Sequence, residues 1–210
     1  MCTILGYFGR DISQDQFASL LGRTESRGPD AAQIVSLPGG GYLGFQRLSI
    51  MGLSPEGMQP FRMGERYAVC NGEIYGFRPV KAQLEAKGYS FQSGSDCEIL
   101  LPLFAEKGLG MFAGLDAEFA CVLYDAATGS VIAARDPIGI RPLFYGYSRG
   151  GAIAFASEAK SLVGWVEKIL PFPPGHYYAD GKFTCFCDIA QPAQVCYDSE
   201  EEVCRNIREK

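Results

Sequence analysis

The stretch Met1–Arg10, MCTILGYFGR, places a cysteine second in the chain and follows it with an apolar run typical of a β-strand. Cys2 has two interpretations. It is a buried, inert terminal thiol, or it becomes the first residue of a chain from which Met1 has been removed. In the second case one residue carries both a thiol and an α-amino group. An α-amino group has an ordinary pKa of about 7.7–8.0, close to the pH at which a general base works best.

The bulk composition indicates one globular domain with a substantial core. The chain has 210 residues, of which 47% are hydrophobic and 20% are charged, and its net charge is -5. No basic run is present, so nucleic acid and anionic membranes are excluded as partners. No apolar stretch is long enough to cross a bilayer, and the N-terminus lacks the pattern of a signal peptide. We therefore expect a cytoplasmic protein.

The cysteines and the single histidine limit the chemistry that this chain can perform. It has eight cysteines and no CxxC pair, a pattern typical of free thiols in a reducing compartment. Cys185, Cys187 and His176 are the one group that suggests zinc, and their spacing supports it poorly. His176 lies in a predicted turn before a strand and is interpreted as structural. A nucleophile in this chain must therefore obtain its base from somewhere other than an imidazole.

Local patterns predict helices early in the chain and many short strands throughout. Residues 31–50 are predicted to form a hairpin around Pro38–Gly41, and residues 66–76 a strand that ends in a turn at Asn71-Gly72. Ser95 and Glu98 are predicted to form a capping box at the start of a helix that contains Pro102. Strands at roughly ten-residue spacing follow. The pattern indicates a layered α+β domain.

A second helix start is predicted near the end of the sequence. Ser199 and Glu202 have capping-box spacing, and acidic residues fill the first turn, as the helix dipole favours. Val203 and Ile207 begin an apolar stripe at helical spacing. Such a short stripe buries little surface, so we expect this helix to continue into a further domain or to dock on a partner.

Six separated stretches carry a resemblance when they are taken together. They are MCTILGYFG (1–9), RGPD (27–30), RLSI (47–50), NGEIYG (71–76), SGSDCE (93–98) and RDPIGIRPLFYG (135–146). In this order they resemble the class II glutamine amidotransferase domain, an N-terminal-nucleophile hydrolase, most closely in the form that glutamine-hydrolysing asparagine synthetases carry. The resemblance implies an α+β fold, the four-layer αββα sandwich, over residues 1–190. Residues 191–210 would be a linker and the start of a helix of a missing synthetase domain.

The resemblance also implies which residues act. Met1 is removed, and Cys2 supplies both the nucleophile and its base. The Asn71 amide and the Gly72 backbone N–H stabilise the oxyanion, while Arg47 holds the substrate carboxylate and Asp96 its ammonium. The implied substrate-binding set comprises Arg47, Leu48, Ser49, Ile50, Met51, Asn71, Gly72, Glu73 and Asp96.

Each of these assignments has a structural alternative. Asn71-Gly72 is equally typical of a hairpin turn, Arg47 of a surface ion pair and Asp96 of helix-dipole stabilisation. The remaining motif residues are interpreted as architectural, held in turns or buried ion pairs. These are Arg27, Pro29, Asp30, Arg135 and Asp136.

The implied activity is hydrolysis of L-glutamine to glutamate and ammonia. The ammonia would serve ATP-dependent asparagine synthesis from aspartate in a missing synthetase domain or a partner chain. No metal or organic cofactor is implied for this glutaminase domain, because ATP and magnesium would belong to the missing synthetase domain. Two alternatives stay open: a non-catalytic scaffold that binds a synthetase partner, and a glutaminase that serves another acceptor such as a sugar phosphate. The sequence leaves the oligomeric state open, a homodimer included.

Three places depart from the family pattern, and one of them is LDAEFAC (115–121), where L-x-G-x-F-A-F is commoner. Thr3 stands where glycine or serine is usual, and its β-branched side chain is expected to crowd the nucleophile. Gly76 stands where asparagine is common, which removes a polar side chain near the glutamine site.

Overall fold

The computed structural model describes residues 1–50, 54–191 and 195–209. Its strands are antiparallel and form two six-stranded sheets. The strands are β1 (Thr3–Tyr7), β2 (Ala31–Ser36), β3 (Tyr42–Arg47), β4 (Phe61–Met63), β5 (Arg66–Ile74), β6 (Ala117–Asp125), β7 (Ser130–Arg135), β8 (Phe144–Tyr147), β9 (Ile153–Ala156), β10 (Leu170–Pro171), β11 (His176–Ala179) and β12 (Lys182–Cys185). The first sheet has the order β10-β8-β9-β1-β3-β2, and the second has the order β12-β11-β7-β6-β5-β4.

Three apolar layers hold these sheets and their helices together. The layer between the sheets includes Ile4, Phe45 and Val69. Leu5 lies one position further along β1 and points the other way, into the layer under helix α1 (Gln14–Gly22). The third layer lies outside the second sheet, beneath helices α2 (Phe77–Ala86) and α3 (Leu100–Lys107). The molecule is therefore the four-layer αββα sandwich that the family resemblance implies.

Strand β1 is central in its sheet, between β9 and β3. Its residues are completely or almost completely buried on both faces, which explains why the sequence after Cys2 is apolar without alternation. Because the strand is paired on both edges, the residue that precedes it has a fixed position.

The predicted turn at Asn71-Gly72 is wrong. Both residues lie within β5, where Asn71 pairs with Ala120 and Gly72 with Phe119 of β6. The glycine serves a close approach between strands, since a Cβ at position 72 would lie 2.5 Å from the Glu118 carbonyl oxygen. An Asn-Gly pair favours a turn only where no neighbouring strand continues the pairing, and β6 continues it through Ala117.

The predicted capping box at Ser95 is also wrong. Residues Asp96–Ile99 form a 3₁₀ turn that precedes α3, and the Ser95 side chain makes no capping hydrogen bond. Glu98 instead accepts hydrogen bonds from the Ser93 amide and hydroxyl, at 2.8 and 2.6 Å. Pro102 falls in the first turn of α3, where its missing N–H is not needed.

Other local predictions are confirmed. The hairpin of β2 and β3 turns at Pro38–Gly41, where the Leu37 amide donates to the Gly41 carbonyl at 3.0 Å. Helix α4 (Glu200–Glu209) begins at the predicted capping box, in which Ser199 and Glu202 exchange hydrogen bonds of 3.1 and 3.3 Å. Its described residues include none that is buried. Within the described ranges, no helix combines the length and the apolar character that crossing a membrane requires.

Candidate active site

Cys2 lies directly before β1 and is half-buried. Its Sγ accepts a hydrogen bond from the Leu48 amide at 3.4 Å and lies 3.5 Å from the Leu48 carbonyl oxygen. Leu48 follows β3, the neighbour of β1, so the pairing of these two strands brings it to the thiol. The Cys2 side chain is therefore held by the Leu48 backbone in the lining of a cavity of about 100 Å³.

Asn71 lies on β5 of the other sheet and is 3% exposed. In the amide orientation that satisfies both of its neighbours, Nδ2 donates to the Cys2 carbonyl at 3.3 Å and Oδ1 accepts from Arg27 Nη2 at 3.2 Å. Gly72 follows it, and both residues line the same cavity as Cys2. The two predicted oxyanion donors and the predicted nucleophile thus come together from opposite sheets.

Most of the predicted substrate-binding residues meet at this cavity. Among the described residues of that set, Ser49 is absent from its lining. The Ser49 amide donates to Asp30 Oδ2 at 2.7 Å, so Ser49 is part of the loop that supports the cavity. Met51 lies outside the described residues. The predicted residues that line the cavity are Cys2, Arg47, Leu48, Ile50, Asn71, Gly72, Glu73 and Asp96.

Arg47 and Asp96 are both buried beside this cavity, at 7% and 4% exposure. Arg47 therefore lies in the interior and not at the surface, and one of its guanidinium nitrogens donates to the Ser54 carbonyl at 3.0 Å. Asp96 Oδ2 accepts the Ile74 amide at 2.6 Å and so holds the end of β5. A guanidinium and a carboxylate on one cavity match the two charged groups of an α-amino acid.

The rim of the cavity carries further charge. Glu73 lies opposite Glu118 in the register of β5 and β6, and Glu118 accepts a hydrogen bond from Arg141 Nη2 at 2.6 Å. Partial burial, together with the Glu118 and Glu73 carboxylates, raises the pKa of the nearby Tyr75 phenol above its ordinary value. Glu73 and Arg141 thus line the cavity, and Glu118 pairs with each of them, through strand register and through an ion pair.

Arg27, which the sequence suggests is architectural, contacts the candidate nucleophile itself. Its Nε donates to the Cys2 carbonyl at 2.9 Å, and Nη1 lies 3.2 Å from Glu158 Oε1. With its contact to Asn71, one guanidinium joins the N-terminus, β5 and the segment after β9. The motif RGPD drew attention to this residue, but its position became clear only from the fold.

Sequence reasoning missed Gln59 completely. Its side chain forms two hydrogen bonds with the backbone of Cys70, from Nε2 to the carbonyl at 3.1 Å and from the Cys70 amide to Oε1 at 2.6 Å. Gln59 is 4% exposed. This amide pair fixes the backbone immediately before Asn71, and no sequence pattern that we recognise indicates it.

The motif RDPIG forms a turn held by hydrogen bonds from its two charged side chains to backbone groups, the first of the two predicted arrangements. The Asp136 carboxylate accepts the amides of Phe119, Ile138, Gly139, Ile140 and Arg141, at 2.6 to 3.2 Å. Arg135 donates to three carbonyls at 2.7 and 2.8 Å, and burial lowers the pKa of its guanidinium below the ordinary value. Both residues therefore shape the loop that carries Arg141.

Two of the departures from the family pattern, Thr3 and Gly76, have different surroundings. Thr3 is fully buried, and its Oγ1 has no hydrogen-bond partner among the residues that the structure describes. Gly76 has φ +58° and ψ 23°, and a Cβ there would meet no atom within 4 Å. Asparagine tolerates this left-handed conformation better than most residues, so Gly76 replaces it without backbone rearrangement.

A comparison with models of known families identifies the family of this domain. A model described as the glutamine amidotransferase domain matches residues 1–172. The chain belongs to this family. Within it, the chain is a class II glutamine amidotransferase domain similar to the N-terminal part of asparagine synthetases.

Two curated relatives define that similarity. A probable asparagine synthetase [glutamine-hydrolyzing] of Acanthamoeba polyphaga mimivirus is 40% identical over 186 residues, which cover 84% of this chain and 33% of the relative. Asparagine synthetase B [glutamine-hydrolyzing] of Escherichia coli (strain K12) is 37% identical over 185 residues, covering 84% and 32%. The chain therefore spans about a third of the length of these relatives.

A solved structure shows the same fold. The glutamine phosphoribosylpyrophosphate amidotransferase from B. subtilis, complexed with ADP and GMP, superposes with a TM-score of 0.76 at 24% identity. The match covers 89% of this amidotransferase domain and 49% of that chain. At this identity the similarity establishes the architecture alone.

Proposed function

We propose that Cys2, after removal of Met1, is the N-terminal nucleophile of a glutaminase. The observation that carries this proposal is the position of its thiol in a cavity shared with Asn71, Gly72, Arg47 and Asp96. These residues come from β3, β5 and the 3₁₀ turn before α3. They supply the group types that hydrolysis of an amino-acid side-chain amide requires.

The proposed reaction proceeds through a thioester. The neutral α-amine of Cys2 takes the thiol proton, and Sγ attacks the side-chain carbonyl carbon of glutamine. The developing oxyanion is stabilised by the Asn71 amide and the Gly72 N–H. The C–N bond then breaks, and the α-ammonium returns the proton to the departing ammonia. Water cleaves the γ-glutamyl thioester, which yields glutamate and restores the thiol.

The charged residues would orient the substrate. Arg47 would hold the α-carboxylate of glutamine, and Asp96 and Glu73 would hold its α-ammonium. Asp96 is already anchored by the Ile74 amide, so it would contribute a fixed carboxylate instead of a flexible one. Glutamine hydrolysis by this route needs no metal or organic cofactor.

We further propose that the ammonia serves asparagine synthesis from aspartate. The support is the similarity to relatives named as glutamine-hydrolysing asparagine synthetases, of which this chain matches about a third. ATP and magnesium would act in the remaining part or in a partner chain. The acceptor is tested by adding the synthetase part of such a relative with aspartate, ATP and magnesium. Asparagine formed from glutamine by this chain supports the proposal, and asparagine formed only from added ammonium contradicts it.

The glutaminase activity is tested on the purified chain. Intact mass establishes whether Met1 is absent, and release of glutamate and ammonia from glutamine is then measured. We expect Cys2→Ala to abolish release. Cys204→Ala is the matched control because it removes an exposed thiol on α4. Release that persists in Cys2→Ala, or no release from Met1-free wild type, would show that the proposal is wrong.

A further inference from the structure

Arg141 is a cavity residue to which the proposed chemistry assigns no role. Its side chain is 14% exposed and lines the same cavity as Cys2. Its amide donates to Asp136 Oδ2 at 3.0 Å, and its carbonyl accepts from Arg135 Nε at 2.7 Å. Both ends of its backbone are therefore anchored, which fixes the point from which the guanidinium extends.

The guanidinium reaches the N-terminus of the chain. Nη2 lies 2.6 Å from Glu118 Oε1, and Nη1 lies 2.6 Å from the Met1 sulfur. Nε is buried and has no partner among the described residues. A thioether is only a weak acceptor, so the contact with Met1 satisfies Nη1 poorly. Removal of Met1 would take away this contact, and Arg141 would remain in the cavity that Cys2 lines.

Covalent geometry bounds the distance from Arg141 to the amino group that Cys2 would then carry. The Met1 side chain spans at most about 6 Å between the Cys2 nitrogen and the Met1 sulfur, so Arg141 Nη1, 2.6 Å from that sulfur, lies within roughly 9 Å of the nitrogen. A positive charge at this range disfavours a second positive charge, and partial burial strengthens the effect relative to water.

We propose that Arg141 is a positioning residue for the Cys2 α-amino group, whose guanidinium favours the neutral amine over the ammonium in the Met1-free chain. This inference rests on the proposed function, in which the amine is the general base. Glu118 pairs with Nη2 at 2.6 Å, so its carboxylate offsets part of the delocalised guanidinium charge, and the amine responds to Arg141 and Glu118 together.

Several other charged groups around the N-terminus have partners among the described residues. Arg27 adds a second positive charge at the Cys2 carbonyl, and Glu158 pairs with it at 3.2 Å. Asp96 accepts the Ile74 amide, and Asp30 accepts the Ser49 amide. The titratable and charged groups on or next to the cavity are Arg27, Asp30, Arg47, Glu73, Tyr75, Asp96, Glu118, Arg141 and Glu158, with the thiols of Cys2, Cys70 and Cys97.

The test is the pH profile of glutamine hydrolysis by Met1-free protein. Activity falls on the acid side when the amine is protonated. In Arg141→Met the amine binds its proton more tightly, so we expect the acid-side midpoint of kcat/KM to move up by about 0.5 to 1 pH unit. Arg141→Lys keeps the charge and should restore the midpoint. Glu118→Gln removes a negative charge and should move it down.

A control variant and a second assay test whether any shift in the midpoint comes from Arg141 and from the amine. Arg149→Met is the matched control, since Arg149 is exposed in the turn between β8 and β9, at the other end of the sheet from Cys2. The pH dependence of N-terminal acetylation by acetic anhydride, followed by peptide mass, reports on the amine without turnover. It should show the same shifts.

The outcomes separate this inference from the proposed function. If wild type hydrolyses glutamine and Arg141→Met leaves both midpoints unchanged, Arg141 has no effect on the amine and the inference is wrong. If Met1-free wild type releases no ammonia, the proposed function fails, and the acetylation midpoints still decide the effect of Arg141. Equal loss of activity at every pH in both Arg141 variants would indicate a purely structural role and would also contradict the inference.

Discussion

Arg27 Nε donates a hydrogen bond of 2.9 Å to the carbonyl oxygen of Cys2, although 25 residues separate them in the chain. The same guanidinium contacts Asn71 and Glu158. A single side chain therefore sets the spacing between the candidate nucleophile and a candidate oxyanion donor on the facing sheet. This arrangement makes Arg27 a positioning residue for the proposed reaction.

Arg27→Lys should lower kcat/KM for glutamine by about 10- to 100-fold, since lysine keeps the charge but cannot make three directed contacts. The measurement is ammonia release from Met1-free protein. Arg23→Lys is the matched control, because Arg23 donates to the carbonyls of Lys160 and Val163 on the outer face of the molecule. Comparable losses in both variants would assign the effect to folding.

Asn71→Ala should reduce kcat by about 10²- to 10³-fold with a smaller change in KM, as expected for the loss of one oxyanion donor. Steady-state kinetics of the two parameters checks this expectation. Asn206→Ala on the exposed face of α4 is the control for a lost carboxamide. A rise in KM at constant kcat would instead place Asn71 in ground-state binding.

Gly72→Ala should destabilise the fold by about 1–3 kcal/mol, because its Cβ would overlap the Glu118 carbonyl oxygen. Gly76→Asn should change the free energy of unfolding by much less, since asparagine tolerates positive φ and position 76 is open. Urea unfolding of the two variants makes the comparison. Equal stability of Gly72→Ala and wild type would contradict the close approach of β5 and β6.

The cysteines other than Cys2 should fall into two classes by their rate of labelling with iodoacetamide. Cys70, Cys97 and Cys121 are buried, and Cys185, Cys187, Cys196 and Cys204 are exposed. The pKa of the Cys121 thiol is raised, chiefly by burial, so its reactive thiolate is scarce. Peptide mass mapping of the native protein should show rapid labelling of the exposed thiols. The buried three should be labelled only after denaturation, and labelling of any of them in the native protein at the rate of Cys185 would contradict the core.

The ion pair of Asp125 and Arg66 should make stability depend on pH. The two groups lie 2.8 Å apart, and the hydrogen bond from Arg66 lowers the pKa of the Asp125 carboxyl in the folded state. A lowered folded-state pKa stabilises the protein above the unfolded value of about 3.9, and that stabilisation is lost as pH falls through the folded-state value.

Asp125→Asn removes this titration and keeps an acceptor for the Ala127 amide. Below about pH 4, the free energy of unfolding should therefore fall less steeply in Asp125→Asn than in wild type. Chemical denaturation at several pH values tests it. Asp198→Asn, in the exposed segment before α4, is the control for a lost carboxylate. Parallel profiles for Asp125→Asn and wild type would contradict the ion pair.

Local sequence was sufficient for the elements that obey a short-range rule. The hairpin at Pro38–Gly41 and the start of α4 at Ser199 were predicted correctly, because turn chemistry and capping act within a few residues. The turn at Asn71-Gly72 and the capping box at Ser95 were wrong, since tertiary partners changed the outcome in both places. At Asn71-Gly72, β6 continues the pairing of β5. At Ser95, the Glu98 carboxylate accepts hydrogen bonds from the amide and hydroxyl of Ser93 and is not available for the cap.

The sequence by itself determined the family, the four-layer fold and the identity of the candidate nucleophile, because those depend on residue types in a fixed order. Only the tertiary structure decided that Arg27 contacts Cys2 and that Gln59 and Arg141 line the same cavity. Antiparallel pairing and packing between sheets bring together residues that lie far apart in the chain. Such contacts leave no local periodicity in the sequence. The roles of these residues are therefore visible only in the structure, where β1, β3 and β5 lie around Cys2.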